Sequence, residues 1–318
     1  MRSAAQNPPM FSIEEYYAGD NRLQHRTEHL TGFHCRISPD RLKRGIDLPA
    51  KMPSTRRGCP FCPDAIFTAT TTFPDGSRIL KGESVTFPNR FPFSRWHTVT
   101  VITRAHAVRQ FTRDQMENAL QAQVQSLLGH KGYPSINCNY LSSAGATLAH
   151  PHLQGLVDDR PSTLLERFLW GSRRYFRRTG TSYWEDLVQH ERAAGRFLFG
   201  GEIPWIASAV PLGEREVRGI LPVTTIDEVE PLIPQIAADI LKVLAVYASQ
   251  GTHAFNFSLF FNRSQSRGEF RAFCSIIARI SPNALSISDS AFMERIHLEP
   301  VVLTLPEELV PSFHNTLH

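Results

Sequence analysis

The sequence is short of features that would point away from a compact folded domain. No run of apolar residues reaches bilayer-spanning length, so a membrane partner is not expected. The first ten residues carry one arginine, then polar residues and two prolines, without the apolar core of a secretory signal. The expected location is therefore the cytoplasm. Charge of one sign is also scarce. With 34 Lys and Arg against 30 Asp and Glu, the net charge of +4 suits a small anion such as a nucleotide better than a nucleic-acid duplex. Five cysteines, at 35, 59, 62, 138 and 274, make an odd set that does not read as a disulfide framework. No second CxxC is present, which excludes a four-cysteine metal site. An apolar share of 42% and a charged share of 20% describe an ordinary folded chain, and 318 residues suggest about two domains.

Against these absences stands His150-Pro151-His152-Leu153-Gln154, flanked by largely apolar residues. In an extended segment side chains alternate, so His150, His152 and Gln154 are expected on one face. A neutral imidazole can attack phosphorus and later leave, which suits a covalent nucleotidyl intermediate. Gln154 can hydrogen-bond phosphoryl oxygens but cannot accept a proton near neutral pH as a third histidine could. That chemistry favours holding an intermediate for a phosphorylated acceptor over losing it to water. Cys59-Pro60-Phe61-Cys62 places two thiolates where they can grip one metal from a tight turn. The spacing alone also admits a redox dithiol or coincidence, and a zinc site would need histidines from elsewhere.

Two capping-box patterns, Thr112 to Gln115 and Thr225 to Glu228, each follow a strand-like stretch and open a helix, the first through about Leu128 and the second through about Ser249. The recurrence of strand, capping box and helix suggests a tandem duplication.

These strings resemble the galactose-1-phosphate uridylyltransferase family, a branch of the histidine triad superfamily, over roughly Leu30 to Leu309. The family motif is His-Pro-His-x-Gln with the second histidine as nucleophile, which implies His152 in that role with Gln154 beside it. The resemblance implies an α+β fold of two tandem histidine-triad-like halves, each an antiparallel sheet with packed helices. We divide the chain accordingly into an N-terminal arm (1–20), a catalytic half with a structural zinc (21–159) and a degenerate second half (160–318). It implies one zinc site from Cys59, Cys62, His106 and His150. Two thiolates and two imidazoles would close a tetrahedron with no open position, so the metal would buttress the strand that carries His152. It also implies Arg41 and Arg44 as phosphate ligands, a role guanidinium forks suit. Asn89 becomes a nucleoside contact, and Asn139, Gly145 and Thr147 become substrate-binding loop residues, with Leu141 where the family has glycine. The main-chain carbonyl of His150 would receive the His152 ring proton and leave the other nitrogen to attack.

The implied reaction is ping-pong transfer of a nucleoside monophosphate from a nucleotide sugar to a phosphorylated acceptor, by a homodimer. The same elements resemble ADP-glucose and diadenosine-tetraphosphate phosphorylases, which use inorganic phosphate. A nucleotide hydrolase and a non-catalytic zinc-containing nucleotide-binding protein are the rival classes. The resemblance weakens in the second half. Arg271 and Phe273 stand where the family often has a second His-x-His metal pair, so no second metal is expected, and Glu191 is expected to pair instead with a base such as Arg271.

Overall fold

The computed structural model of the protein describes residues 9–44, 58–280 and 288–317. Strands β1 (Phe11–Ala18), β2 (Asn21–Glu28) and β3 (Phe33–Ile37) come first. Helix α1 (Ile66–Ala69), strands β4 (Ile79–Lys81), β5 (Ser84–Pro88) and β6 (Trp96–Val101), helix α2 (Arg113–Leu127), and strands β7 (Tyr133–Tyr140) and β8 (His152–Asp158) complete the first half. Helices α3 (Thr163–Thr179) and α4 (Tyr183–Ala193) lead into β9 (Phe197–Phe199), β10 (Trp205–Ala207), β11 (Val217–Ile220), α5 (Ile233–Ser249), β12 (Phe255–Phe260) and β13 (Phe273–Ala278). A two-residue strand, β14 (Val301–Val302), and helix α6 (Leu309–Leu317) follow.

One antiparallel sheet runs through both halves in the order β4-β5-β6-β8-β7-β12-β13-β11-β10-β9. Read inward from either edge, the chain visits its strands in the same pattern, and the helix before the innermost strand is α2 on one side and α5 on the other. The halves meet at β7 and β12, where Asn137 pairs with Ser258 between Cys138–Phe257 and Ile136–Leu259. The pairing Cys138–Leu153 in the first half matches Leu259–Cys274 in the second. On that register His152 corresponds to Phe273, Gln154 to Ser275 and His150 to Arg271. The main core draws on both halves, with Ile136 and Leu153 packed in the same cluster as Phe257 and Ile276.

Local chemistry explains most element boundaries. Helix α2 begins with a complete capping box, Thr112 accepting from the Gln115 backbone while Gln115 returns to the Thr112 N–H. The second capping box forms too, but it closes only a 3-10 turn over Ile226–Glu228. Helix α5 starts later, at Ile233, with Pro234 in its first turn, where a missing N–H costs nothing. Gly155 is required where β8 crosses α2, because a Cβ there would lie 2.1 Å from Gln123 Nε2.

Two expectations need correction. The segment before Asn21, expected to be an arm, is a paired strand over Phe11–Ala18. It supplies β1, an exposed edge strand paired along its length with β2 and tied to it by the Arg22–Glu15 ion pair. Apolar length is also not lacking, since Glu230–Ser249 has the composition of a membrane span. Its residues Ile233, Ile236, Ile240, Val243 and Val246 instead pack into the main core.

In the second half the face corresponding to the histidine motif is filled. Phe273 packs against Phe168, Trp184 and Phe260, with ring centroids at 5.0, 5.5 and 4.9 Å. Beside it the buried Arg218 bonds Glu216 at 3.1 Å and lies 3.5 Å from Glu28. Burial pushes the Glu28 carboxyl upward, and Arg218 opposes that shift. Removing one partner of such a group leaves uncompensated buried charge. Arg218→Ala is therefore expected to destabilise the fold by about 3–5 kcal/mol in equilibrium denaturation. A loss below about 1 kcal/mol would mean the group is solvated or dispensable.

Candidate active site and metal centre

The turn Cys59-Pro60-Phe61-Cys62 is closed by the Cys62 N–H donating to the Cys59 carbonyl, and the Ala65 and Ile66 N–H groups donate to the Cys62 carbonyl. Across from it lies the segment after β6. Glu83 accepts from the Thr103 hydroxyl at 2.6 Å and the Arg104 N–H at 3.0 Å, which fixes the approach to His106. These bonds hold the Glu83 carboxyl below its usual range. His106 Nδ1 lies 3.4 Å from Cys62 Sγ, and His150 Nδ1 lies 3.7 Å from both Cys59 Sγ and Cys62 Sγ. His150 Nε2–H donates to the Thr103 carbonyl at 2.7 Å, so its Nδ1 is the nitrogen left with a lone pair. The four donor atoms lie within 4.8 Å of one another and could hold a metal ion. The other three thiols are buried in apolar surroundings. Burial pushes Cys35 up to about 12 and raises Cys138 and Cys274 as well, so none is a ready nucleophile.

Strand β8 starts only at His152, because Pro151 has no N–H to give to a ladder. The expected single-faced row of His150, His152 and Gln154 is thereby split. The His150 ring belongs to the metal cluster, while His152 and Gln154 line a cavity of about 550 Å³. His152 Nδ1–H donates to the His150 main-chain carbonyl at 2.8 Å, leaving Nε2 as the unprotonated nitrogen. Its ring meets Phe61 edge-on at 5.3 Å, and burial pushes its pKa down. Burial favours the neutral imidazole, and the His150 carbonyl bond, although it opposes that shift, leaves Nε2 as the one nitrogen with a free lone pair.

The same cavity is lined by Asn89, Asn139, Gly145 and Thr147. Gly145 has φ +80°, and Leu141, at the glycine position of the resembled family, adopts φ +70° while its side chain enters the core. The loop thus keeps a glycine-like bend without a glycine. Asn139 is held from the second half, where Asn256 Nδ2 donates to Asn139 Oδ1 at 2.7 Å and to the Ala144 carbonyl at 2.9 Å.

No family model matches the chain. An uncharacterized protein of Archaeoglobus fulgidus is 28% identical over 272 residues, 82% of each chain. Among solved structures, an ADP-glucose phosphorylase from Arabidopsis thaliana with bound ADP-glucose superposes with TM-score 0.70 and 14% identity, covering 92% of this chain and 98% of that one. A uridylyltransferase gives TM-score 0.68 and 16% identity over 92% and 98%. The protein has the uridylyltransferase fold.

Within that fold, some expected site residues come together and others do not. Arg41 sits exposed on the 3-10 helix Pro39–Arg44, beyond the small sheet, and is not among the cavity-lining residues. The Arg44 side chain lies outside the described residues. Arg90 is the guanidinium among the residues lining the cavity. Glu191 does not pair with Arg271. It is fully buried and takes a two-pronged bond from Arg196, including Nη2 to Oε1 at 3.1 Å, whereas Arg271 reaches Glu185 at 3.7 Å near the surface. The turn after α4 brings Arg196 back onto Glu191, with the Arg196 N–H on the Glu191 carbonyl at 2.9 Å. His97, Asn256 and Arg90 are site residues that motif reading missed. Strand register sets His97 of β6 against Gln154 and Asn256 of β12 against Asn139, while Arg90 lies in the segment after β5.

Metal analysis of the purified protein is expected to find one tightly held ion per chain. Cys62→Ser should lose it and lower the melting temperature by several degrees, since four buried donors would face one another without it. Full occupancy in that variant would show that the ion sits elsewhere.

Proposed function

We propose that this protein is a nucleotidyltransferase that moves a nucleoside monophosphate from a nucleotide sugar to a phosphorylated acceptor. The observation that carries the reading is His152, with Nδ1–H tied to the His150 carbonyl and Nε2 left for attack beside Gln154 and Asn139. His152 Nε2 attacks the α-phosphorus, forming an N–P bond as the P–O bond to the sugar phosphate breaks. The sugar phosphate departs with the electron pair. An acceptor phosphate oxygen then forms a new P–O bond, and the N–P bond breaks with its electron pair returning to Nε2. Through both steps Nδ1 keeps its proton and the His150 carbonyl stabilises the cationic phosphorylated ring. Gln154, Thr147 and Asn139 are assigned to the transferring group, Arg90 to substrate charge and Asn89 to the nucleoside. Arg41 and Arg44 remain part of the proposal only as phosphate ligands reached from outside this cavity.

Cys59, Cys62, His106 and His150 would hold zinc. Zinc bonds of about 2.3 Å to sulfur and 2.0–2.1 Å to nitrogen, at tetrahedral angles, separate those donors by about 3.5 Å. The 3.4–3.7 Å spacings fit that set. Four protein donors leave no open position, so the ion supplies rigidity and not Lewis acidity at the substrate. A homodimer in the cytoplasm, acting on nucleotides and neither on nucleic acid nor on membranes, completes the reading. Five free cysteines suit a reducing compartment.

The test is isotope exchange. Labelled hexose phosphate should enter ADP-glucose or a UDP-hexose without any second acceptor, and adding inorganic phosphate should distinguish a phosphorylase from a transferase. His152→Ala should lower exchange by roughly 10³-fold or more while the fold survives. Release of free nucleoside monophosphate in water at the same rate with and without acceptor would favour a hydrolase.

A further inference from the structure

Strand β6 carries a buried histidine that the proposed reaction has not used. His97 Nε2 lies 3.0 Å from Gln154 Oε1. Asn89 Nδ2 lies 3.0 Å from the same Nε2 and 3.5 Å from Nδ1. An in-plane approach to Nε2 would leave Nδ1 far away, on the opposite side of the ring. The near-equal distances instead put the Asn89 amide over the ring face, as a weak N–H···π contact. Asn89 is itself fixed, because its Oδ1 accepts the Phe91 N–H at 2.9 Å. Phe93 meets the His97 ring edge-on at 4.5 Å. The in-plane edge at Nε2 therefore belongs to Gln154. Since that partner atom is a carbonyl oxygen, Nε2 must carry the ring proton.

We propose that His97, as its neutral Nε2–H tautomer, is a positioning residue that pins the Gln154 carbonyl oxygen to the cavity wall and presents the amide NH2 to the transferring phosphoryl group. This rests on the nucleotidyl-transfer reading above. An unpinned amide can turn either end inward. Its NH2 donates to anionic phosphoryl oxygens, whereas its oxygen repels them and can accept from, and so orient, an attacking water. His97 thus biases the intermediate toward phosphorylated acceptors and away from hydrolysis. The second half keeps a polar tie at the matching place. Val99 pairs with Gln154 as Arg218 pairs with Ser275, and two residues before each stand His97 and Glu216. Ser275 donates to Glu216 at 2.7 Å across that diagonal. Burial lowers the His97 pKa, with the Gln154 bond opposing, which agrees with a neutral ring.

The experiment has two arms. Nitrogen NMR of the ligand-free protein at neutral pH should show His97 as the Nε2–H tautomer, with that preference weakened in Gln154→Ala. A dominant Nδ1–H form or an imidazolium would overturn the proposal. The second arm follows α-phosphorus-labelled ADP-glucose or UDP-hexose and measures transfer against hydrolysis. His97→Phe should shift that ratio about tenfold toward hydrolysis while KM changes by less than about threefold, the scale of one lost hydrogen bond. His97→Gln, which keeps an N–H donor, should recover part of it, and His97→Phe should add nothing to Gln154→Ala. Equal loss of transfer and hydrolysis, or additive effects in the double variant, would contradict it. Failure of the nucleotidyl-transfer reading would show differently, as wild-type protein that turns over neither nucleotide, and the tautomer arm would still decide the Gln154 orientation.

Discussion

His150 is gripped at two ends, and the candidate site depends on it. Its ring nitrogen Nδ1 belongs to the thiolate cluster, its Nε2–H is bound by the Thr103 carbonyl, and its own main-chain carbonyl holds the Nδ1–H of His152. Pro151 stands between the two histidines and keeps the ladder from extending through them. The candidate metal cluster and His152 are thus separated by one rigid residue. A shift of the His150 backbone would disturb the donor set and the His152 tautomer together. Under the proposed reaction, that coupling would let a closed metal site govern chemistry it does not touch.

The second constraint is the shared sheet. Its halves have the same strand pattern, yet only one retains imidazoles at the motif positions. In the other, Phe273 joins an aromatic cluster with Phe168 and Trp184, and Arg218 with Glu216 and Glu28 fills the polar space beside it. The second half also supports the candidate site. Asn256 reaches across the central β7–β12 pair to orient Asn139 and the Ala144 turn. One half of the sheet carries the candidate site and the other supports it.

Local signals in the sequence were readable where the physics is local. The Thr112 capping box and the CxxC turn each depend on residues a few positions apart, and each forms. The cluster of Cys59, Cys62, His106 and His150 was legible through the resemblance, since spacing alone left a redox dithiol open. What escaped was set by strand register or by an irregular turn. His97 reads as an ordinary strand residue until β6 is laid beside β8, and Arg196 is an unremarkable base until the turn after α4 returns it to Glu191. Exposed Arg41 shows the converse, a chemically suitable residue whose place relative to the cavity lined by His152 depends on how the fold sets the helix after β3.

The most direct test is to quench the protein with a nucleotide sugar, isolate the acid-labile adduct and locate it by mass spectrometry and crystallography. The account predicts a nucleoside monophosphate on Nε2 of His152, with Nδ1 still bonded to the His150 carbonyl. An adduct on Nδ1 or on another residue, or sustained turnover through no adduct at all, would contradict it.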